Sequence, residues 1–392
     1  MRFVAAGTVA YLFHRKDETI EIVLPLAKEG ERKNMLKRWH VLLLTGGLLI
    51  LVLALPASAT KLAGEFLSTG YGAKALSMGG AFVSVANDAS SAYWNPAGLV
   101  QLEKSQLLLM HSERFGDLID YNCIGLARPL GGKKGKEAAG GLTIIWLRVS
   151  DIALTSHLNT PGVDFEDLDG DGRWDPGEER RFWRPDRVRW ESDNELAALL
   201  SYAQRRNENL SLGFTGKLIW KDVAGISCLG FGFDAGLLYN LTDQLSIGVN
   251  LQDITTTPLY WSGWYDTVDS LGTEYRKRVK TKETIYPTAK VGASYEISSS
   301  KIPGTVIIAA DIDFKFEGLG EEADFSFSEV SGDVRLGVLY DYKGIFHVAA
   351  GMDRKKPTAG IGVTLSRLGV GYAFWRDTEL DNTHRISLEI YF

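Results

Sequence analysis

The chain has 392 residues, room for two or three ordinary domains, and a formal net charge of −6,. That balance argues against nucleic acid as a partner, because phosphate binding needs a basic face. Two cysteines, Cys123 and Cys228, exclude a disulfide framework and a cysteine-based zinc cluster, and the 6 histidines form no HExxH,. A single long apolar run excludes a multi-helix membrane protein. It leaves open a transmembrane β-barrel, whose strands are apolar only at alternate residues.

The first segment reads as an address. Met35 to His40 (MLKRWH) is basic, Val41 to Leu55 is apolar throughout, and Ala57-Ser58-Ala59 follows. This order predicts a secretory signal peptide over 35–59, cleaved after Ala59. The apolar run has fifteen residues, short of the roughly 20 that a spanning helix needs. Residues 1–34 precede a signal that does not normally carry such an extension. They read as an overlong gene start, with translation at Met35, or as a cytoplasmic extension with the run as anchor. On the first reading the mature chain has 392 − 59 = 333 residues.

Residues 60–103 are rich in Ala, Gly and Ser. Gly79-Gly80 permits tight backbone turns,. Asn95-Pro96 and Gly98 punctuate a turn just ahead of the first strand,. The run Ala81 to Ala86 is too apolar for a solvated linker. Gly70-x-Gly72-x-x-Ala75 matches a dinucleotide fingerprint but has no βαβ unit around it.

Downstream, segments alternate apolar with small or polar residues, the pattern of strands with one apolar face. The last strand sets Ile386, Leu388, Ile390 and Phe392 against Arg385, Ser387, Glu389 and Tyr391. Fourteen such segments lie near 104–112, 117–129, 139–150, 194–206, 208–222, 229–241, 245–255, 286–297, 304–315, 333–342, 345–354, 358–366, 368–376 and 383–392. The long connections (151–193, 256–285, 316–332 and 377–382) all follow odd-numbered segments, so they share one rim. That layout, with an even strand count and the terminal aromatic Phe392 as assembly signal, predicts a closed transmembrane barrel over 104–392. A secreted β-sandwich is the alternative. Against it, the face opposite the apolar one carries Lys217, Asp234, Lys290, Asp311, Asp313, Arg335, His347 and Asp353, which would line a wet lumen. Gly230, Gly232, Gly360, Gly362, Gly369 and Gly371 mark strands that bend or have another use for glycine.

Gly72-Ala73, Ala75-Leu76, Met78 to Val83, Asp88 to Ser90 and Tyr93 to Leu99 together resemble the start of the PorV/PorQ family, relatives of the FadL-type fatty-acid porins. The match covers about thirty residues, with Lys74 and Ser77 where the family has Arg and Gly. The resemblance implies an all-β, 14-stranded antiparallel barrel in the bacterial outer membrane, with residues 60–103 folded into its lumen as a plug.

Within the first long loop, Asp167, Asp169, Asp171, Gly172, Asp175 and Glu178 fit D-x-D-x-D-G-x5-E,. Carboxylates at positions 1, 3, 5 and 9 would converge on Ca2+, Arg173 would offer its carbonyl, and Glu178 would close bidentately. An acidic solvated loop is the alternative. Trp174, Trp183, Trp190, Tyr260, Trp261, Trp264 and Tyr265 also fall in the long loops, as a boundary belt or as a mouth for an apolar ligand,. Arg276, Lys277, Arg278, Lys280 and Lys282 form a basic run, read as a solvated loop or a contact for anionic lipopolysaccharide.

No catalytic motif emerges. The expectation is a non-enzymatic barrel that meets outer-membrane lipid and the barrel-assembly machinery. PorV-type relatives imply a role in type IX-like protein secretion or cargo attachment, with secretion-system proteins as partners. FadL-type relatives imply the alternative, passive uptake of a hydrophobic ligand.

Overall fold

The structure is a computed structural model that describes residues 2–6, 9–13, 63–114, 118–132, 137–154, 166, 168, 170, 188–268, 274–299, 302–316, 323–327, 330–376 and 382–392. The signal peptide and the six predicted calcium ligands lie outside the described residues. The chain divides into two compact units, 1–56 and 57–392. In the first, β1 (Arg2–Ala6) and β2 (Val9–Phe13) pair antiparallel.

The second unit is a closed wall. Its strands are β3 (Gln106–Arg114), β4 (Ile119–Gly131), β5 (Ala138–Leu154), β6 (Arg189–Arg205), β7 (Leu210–Val223), β8 (Ile226–Asn240), β9 (Leu245–Gln252), β10 (Thr257–Val268), β11 (Glu274–Ile285), β12 (Thr288–Ser299), β13 (Ile302–Lys315), β14 (Phe325–Phe327), β15 (Val330–Tyr342), β16 (Phe346–Asp353), β17 (Lys356–Leu365), β18 (Leu368–Trp375) and β19 (Thr383–Tyr391). Fourteen of them close the ring: β3 to β9 in order, then β12, β13 and β15 to β19, with β19 returning to β3. The closing register runs from His384↔Glu113 to Tyr391↔Gln106. Closure is what lipid demands, since an open edge would leave a row of backbone donors and acceptors unpaired in hydrocarbon.

Alternation sorts the two faces. Leu218, Phe231, Phe233, Ile308, Ile361, Val370 and Ile386 are exposed and point outward. Lys217, Asp234, Lys290, Asp311, Asp313 and Arg335 point inward and are buried. An apolar outer belt around a polar interior is the reverse of a soluble sandwich, whose apolar face packs inside. The short turn at Lys343-Gly344 has both residues at positive φ (56 and 66), as a two-residue hairpin of strand-matched twist requires,. Phe392 closes the short-turn rim, its backbone N–H donating to the Ser105 carbonyl at 3.0 Å.

The wall departs from the expected layout along β8. Its second half pairs with β9 (Ala235↔Leu251 to Asn240↔Ser246) and its first half with β10 (Gly230↔Leu259 to Ile226↔Gly263). β9 and β10 therefore run the same way along β8, broken at Asp253–Thr256, where Asp253 and Thr256 both have φ 54. β11 and β12 are likewise interrupted at 286–287. Residues 256–285 are thus mostly a hairpin rather than the loop expected from sequence. Their alternation is hidden because β10 is aromatic and β11 basic. The register sets Tyr260 against Lys282 and Trp264 against Arg278, with both cations 5.9 Å from the ring centroids. Such pairing stabilises by about 0.5–1 kcal/mol at exposed sites.

A charge on the lipid face of the wall is destabilising. Ile361→Arg is expected to lower barrel stability by about 2–4 kcal/mol. The midpoint of denaturant unfolding in vesicles, followed by tryptophan fluorescence, checks it.

Candidate functional site

Residues 63–101 fill the lumen. Tyr71, Met78, Ala81, Phe82 and Asn95 are fully buried, and Trp94 is 1% exposed. Their path is matched by glycines on the inner wall. A Cβ at Gly351 would lie 2.3 Å from the Met78 carbonyl carbon. At Gly248 it would lie 2.3 Å from the Val83 carbonyl oxygen, and at Gly236 2.2 Å from Asn95 Oδ1. Gly360 makes room for Ser77 and Gly371 for Ala73. Gly230 and Gly232 lie under Leu259 and Thr257. These glycines make room for close neighbours.

The motif residues of the segment hold its turns. Gly79 (φ 68) and Gly80 (φ 76) reverse the chain where a Cβ on Gly79 would meet Met352 backbone at 2.6 Å. The Asn95 amide donates to the Val83 carbonyl at 2.8 Å and to the Leu237 carbonyl of β8 at 3.0 Å, and its Oδ1 accepts from Ala97 N–H. Pro96 opens a 3-10 turn to Gln101, and a Cβ on Gly98 would meet the Ala86 carbonyl oxygen at 2.1 Å. Further ties reach the wall. Tyr71 Oη donates to the Leu108 carbonyl, Val83 N–H to Asp311 Oδ2, and Lys221 Nζ to the Ala63 carbonyl.

The inward charges do not line a wet lumen at this level. They are buried against the segment and one another. Lys217 Nζ sits 2.8 Å from Asp234 Oδ1 and 2.6 Å from Asp253 Oδ1, tying β7 and β8 to the wall break. Arg335 contacts Asp313 (3.2 Å) and Asp353 (3.4 Å) and lies 5.9 Å from the Trp94 ring centroid. Lys290 lies over the same ring and 3.6 Å from Asp313. Within the segment, Lys74 pairs with Asp88 at 3.0 Å. Burial alone would push the Asp88 carboxyl up; Lys74 and the hydrogen bonds from Ser90 outweigh it and hold the carboxyl below the usual carboxylate range,. A polar cavity of about 110 Å³ remains between Glu65, Tyr286, Lys290, Asp333 and Arg335.

The interior also holds an apolar cluster. β4 to β8 and β10 present Tyr121, Ile145, Leu147, Leu199, Ile219, Cys228 and Leu259, all buried, beside the Lys217–Asp234 and Lys221–Glu195 pairs of β6 to β8. Phe66, on the 3-10 turn Glu65–Ser68, is 3% exposed and belongs to the same apolar cluster.

Sequence reading placed Lys217 and Asp234 on the inner face but missed their third partner, Asp253. The signal for it was the interrupted alternation at Asp253-Ile-Thr-Thr-Thr, followed by Pro258. Of the acidic loop, only Glu166, Leu168 and Gly170 are described, and no group of three or more potential metal ligands occurs among the described residues.

A closed strand ring with an apolar belt and a filled lumen defines a transmembrane barrel of the bacterial outer membrane. No protein-family model matches the chain, and no curated protein matches it significantly. Solved structures do. The chain is similar to the CymD monoaromatic hydrocarbon channel (16% identity, 82% of this chain and 98% of that chain, TM-score 0.53). It is similar to the P. putida toluene transporter TodX (14%, 82% and 99%, TM-score 0.55) and the Ralstonia pickettii toluene transporter TbuX (13%, 82% and 98%, TM-score 0.50). At these identities the likeness establishes the barrel fold alone and does not show membership of the PorV/PorQ family.

Lys217→Met would leave two buried carboxylates facing each other without their cation. Breaking a buried pair this way is expected to cost about 3–5 kcal/mol. Comparison of unfolding midpoints with the wild type measures it.

Proposed function

We propose that the chain is a non-enzymatic, plug-gated channel for passive uptake of hydrophobic small molecules. The observation that carries this is the apolar sector of β4 to β8 and β10, occupied by Phe66 of the plug. A ligand that displaces this turn meets these apolar side chains beside the Lys221–Glu195 pair, and transfer of an apolar group from water to them is favourable,. Fold neighbours titled as hydrocarbon channels and toluene transporters support the same reading. The secretion reading rests on residues 72–99, and those residues are engaged in packing the lumen.

Gating is testable by a lock. The Cβ of a residue at Gly371 would stand 3.2 Å from Ala73 Cβ, close to the separation of about 3.5–4.5 Å in disulfides. Ala73→Cys with Gly371→Cys is expected to abolish uptake of labelled toluene by cells lacking other hydrocarbon channels, with recovery on reduction. The lock is built in a background with both native cysteines, Cys123 and Cys228, replaced by alanine. Undiminished uptake through the locked barrel would overturn the reading.

We further propose that Asp167, Asp169, Asp171, Asp175 and Glu178, with the Arg173 carbonyl, bind Ca2+ as a structural clip. Calorimetric titration of the whole barrel is expected to give a dissociation constant of about 0.1–1 mM, as in extracellular modules. No heat at millimolar calcium refutes it.

A further inference from the structure

The outer wall carries a groove that bulk lipid contact does not explain. It holds about 640 Å³ and is walled by the outward side chains of Leu126, Leu142, Leu200, Phe214 and Phe233. It exists because the register places glycine at two outward positions. Gly140 stands between Arg128 and Tyr202, and Gly216 between Leu200 and Phe233. A neighbouring side chain leans over each glycine, Leu130 with its Cδ1 3.3 Å from where a Cβ on Gly140 would stand and Phe233 with its ring 3.8 Å from one on Gly216, so each leaves a shallow dip.

The dip at Gly140 has Leu130 over it and a polar side chain on each flank. Arg128 and Tyr202 both point outward and are exposed, and neither guanidinium nor phenol has a hydrogen bond or ion pair among the described residues. They flank one glycine strand, so their backbones stand about 10 Å apart. Arg128 directly follows Ala127, which pairs with Gln106 at the start of β3. Its row therefore lies at the short-turn rim, which in outer-membrane barrels faces the periplasm. A lipid-facing arginine is destabilising, least so near the interface, and it persists most readily where an anion meets it.

We propose that this groove is a binding site for one anionic glycerophospholipid of the periplasmic leaflet. Its phosphate sits between the Arg128 guanidinium and the Tyr202 hydroxyl, over Gly140. An acyl chain runs up the groove across Gly216 toward Phe233. The charge and the apolar trough are adjacent and of the right order: a headgroup position at the rim and a chain position above it, toward mid-membrane.

The test uses the full barrel in nanodiscs of dioleoylphosphatidylcholine doped with dioleoylphosphatidylglycerol, released into native mass spectrometry. The wild type is expected to retain dioleoylphosphatidylglycerol in preference to dioleoylphosphatidylcholine. Arg128→Gln removes the charge, and retention is expected to fall about tenfold, the scale of one charge-assisted hydrogen bond. Gly140→Leu keeps the charge and fills the dip, and the same loss is expected. A heat-dependent gel shift equal to that of the wild type shows that both variants are folded. Equal retention of the anionic lipid by wild type and both variants overturns the proposal. So does a two-barrel mass that disappears in Gly140→Leu, which would assign the groove to a second copy of the chain.

Discussion

The pairing of β19 with β3 is the constraint on which the rest of this molecule depends. Nothing in hydrocarbon can satisfy the backbone donors and acceptors of a free strand edge, so the wall must come full circle. Ring size then follows from strand number, and fourteen strands enclose more space than their own inward side chains fill. The surplus volume has to be occupied by something other than wall. In this chain the occupant is the segment immediately ahead of β3, already tethered to the rim by its own sequence connection.

Once the lumen is filled, its charges cease to be solvated and must be satisfied internally. Lys217 is matched by Asp234 and Asp253, and Arg335 lies among Asp313 and Asp353 as ion pairs that leave Arg335 Nε without a hydrogen bond. They belong to two sets. Arg335, Lys290 and their carboxylates cluster on β12 to β16 around Trp94, and a second set, Lys217 and Lys221 with Asp234, Asp253 and Glu195, lies on β6 to β8 beside Ile145, Leu147 and Leu199. With each cation paired, the apolar side chains between them can still meet a hydrophobic solute, which is what the proposed uptake requires.

Much of the wall was legible in the sequence because a period of two is a strong signal when one face meets lipid. The fourteen alternating segments match the wall strands to within a few residues, with segment 194–206 the widest miss, at five, against β6 (Arg189–Arg205). Their long connections share a rim, as parity alone requires. The β10–β11 hairpin was not legible. Its strands read as an aromatic patch and a basic run, and only their register shows that each supplies the other's partner. Asp253 was missed for a related reason: an ion pair across strands depends on register and on a break in β9–β10 that residue periodicity does not encode. The thirty-residue resemblance pointed to a plug, and the structure shows those residues inside the barrel. It also pointed to secretion, which nothing in the fold supports; Met78 and Asn95 of that motif are buried in packing.

The glycines of the inner wall carry a consequence of their own. Gly236, Gly248, Gly351, Gly360 and Gly371 form a mould whose cast is the chain from Ala73 to Pro96. A mould admits one cast. Exchanging this segment with that of another barrel would set side chains against side chains at each of these positions, unless the recipient's wall were re-cut to match. Wall and segment are therefore expected to change together. In any relative, a bulkier residue at Gly236 or Gly351 would record that the chain inside takes a different route.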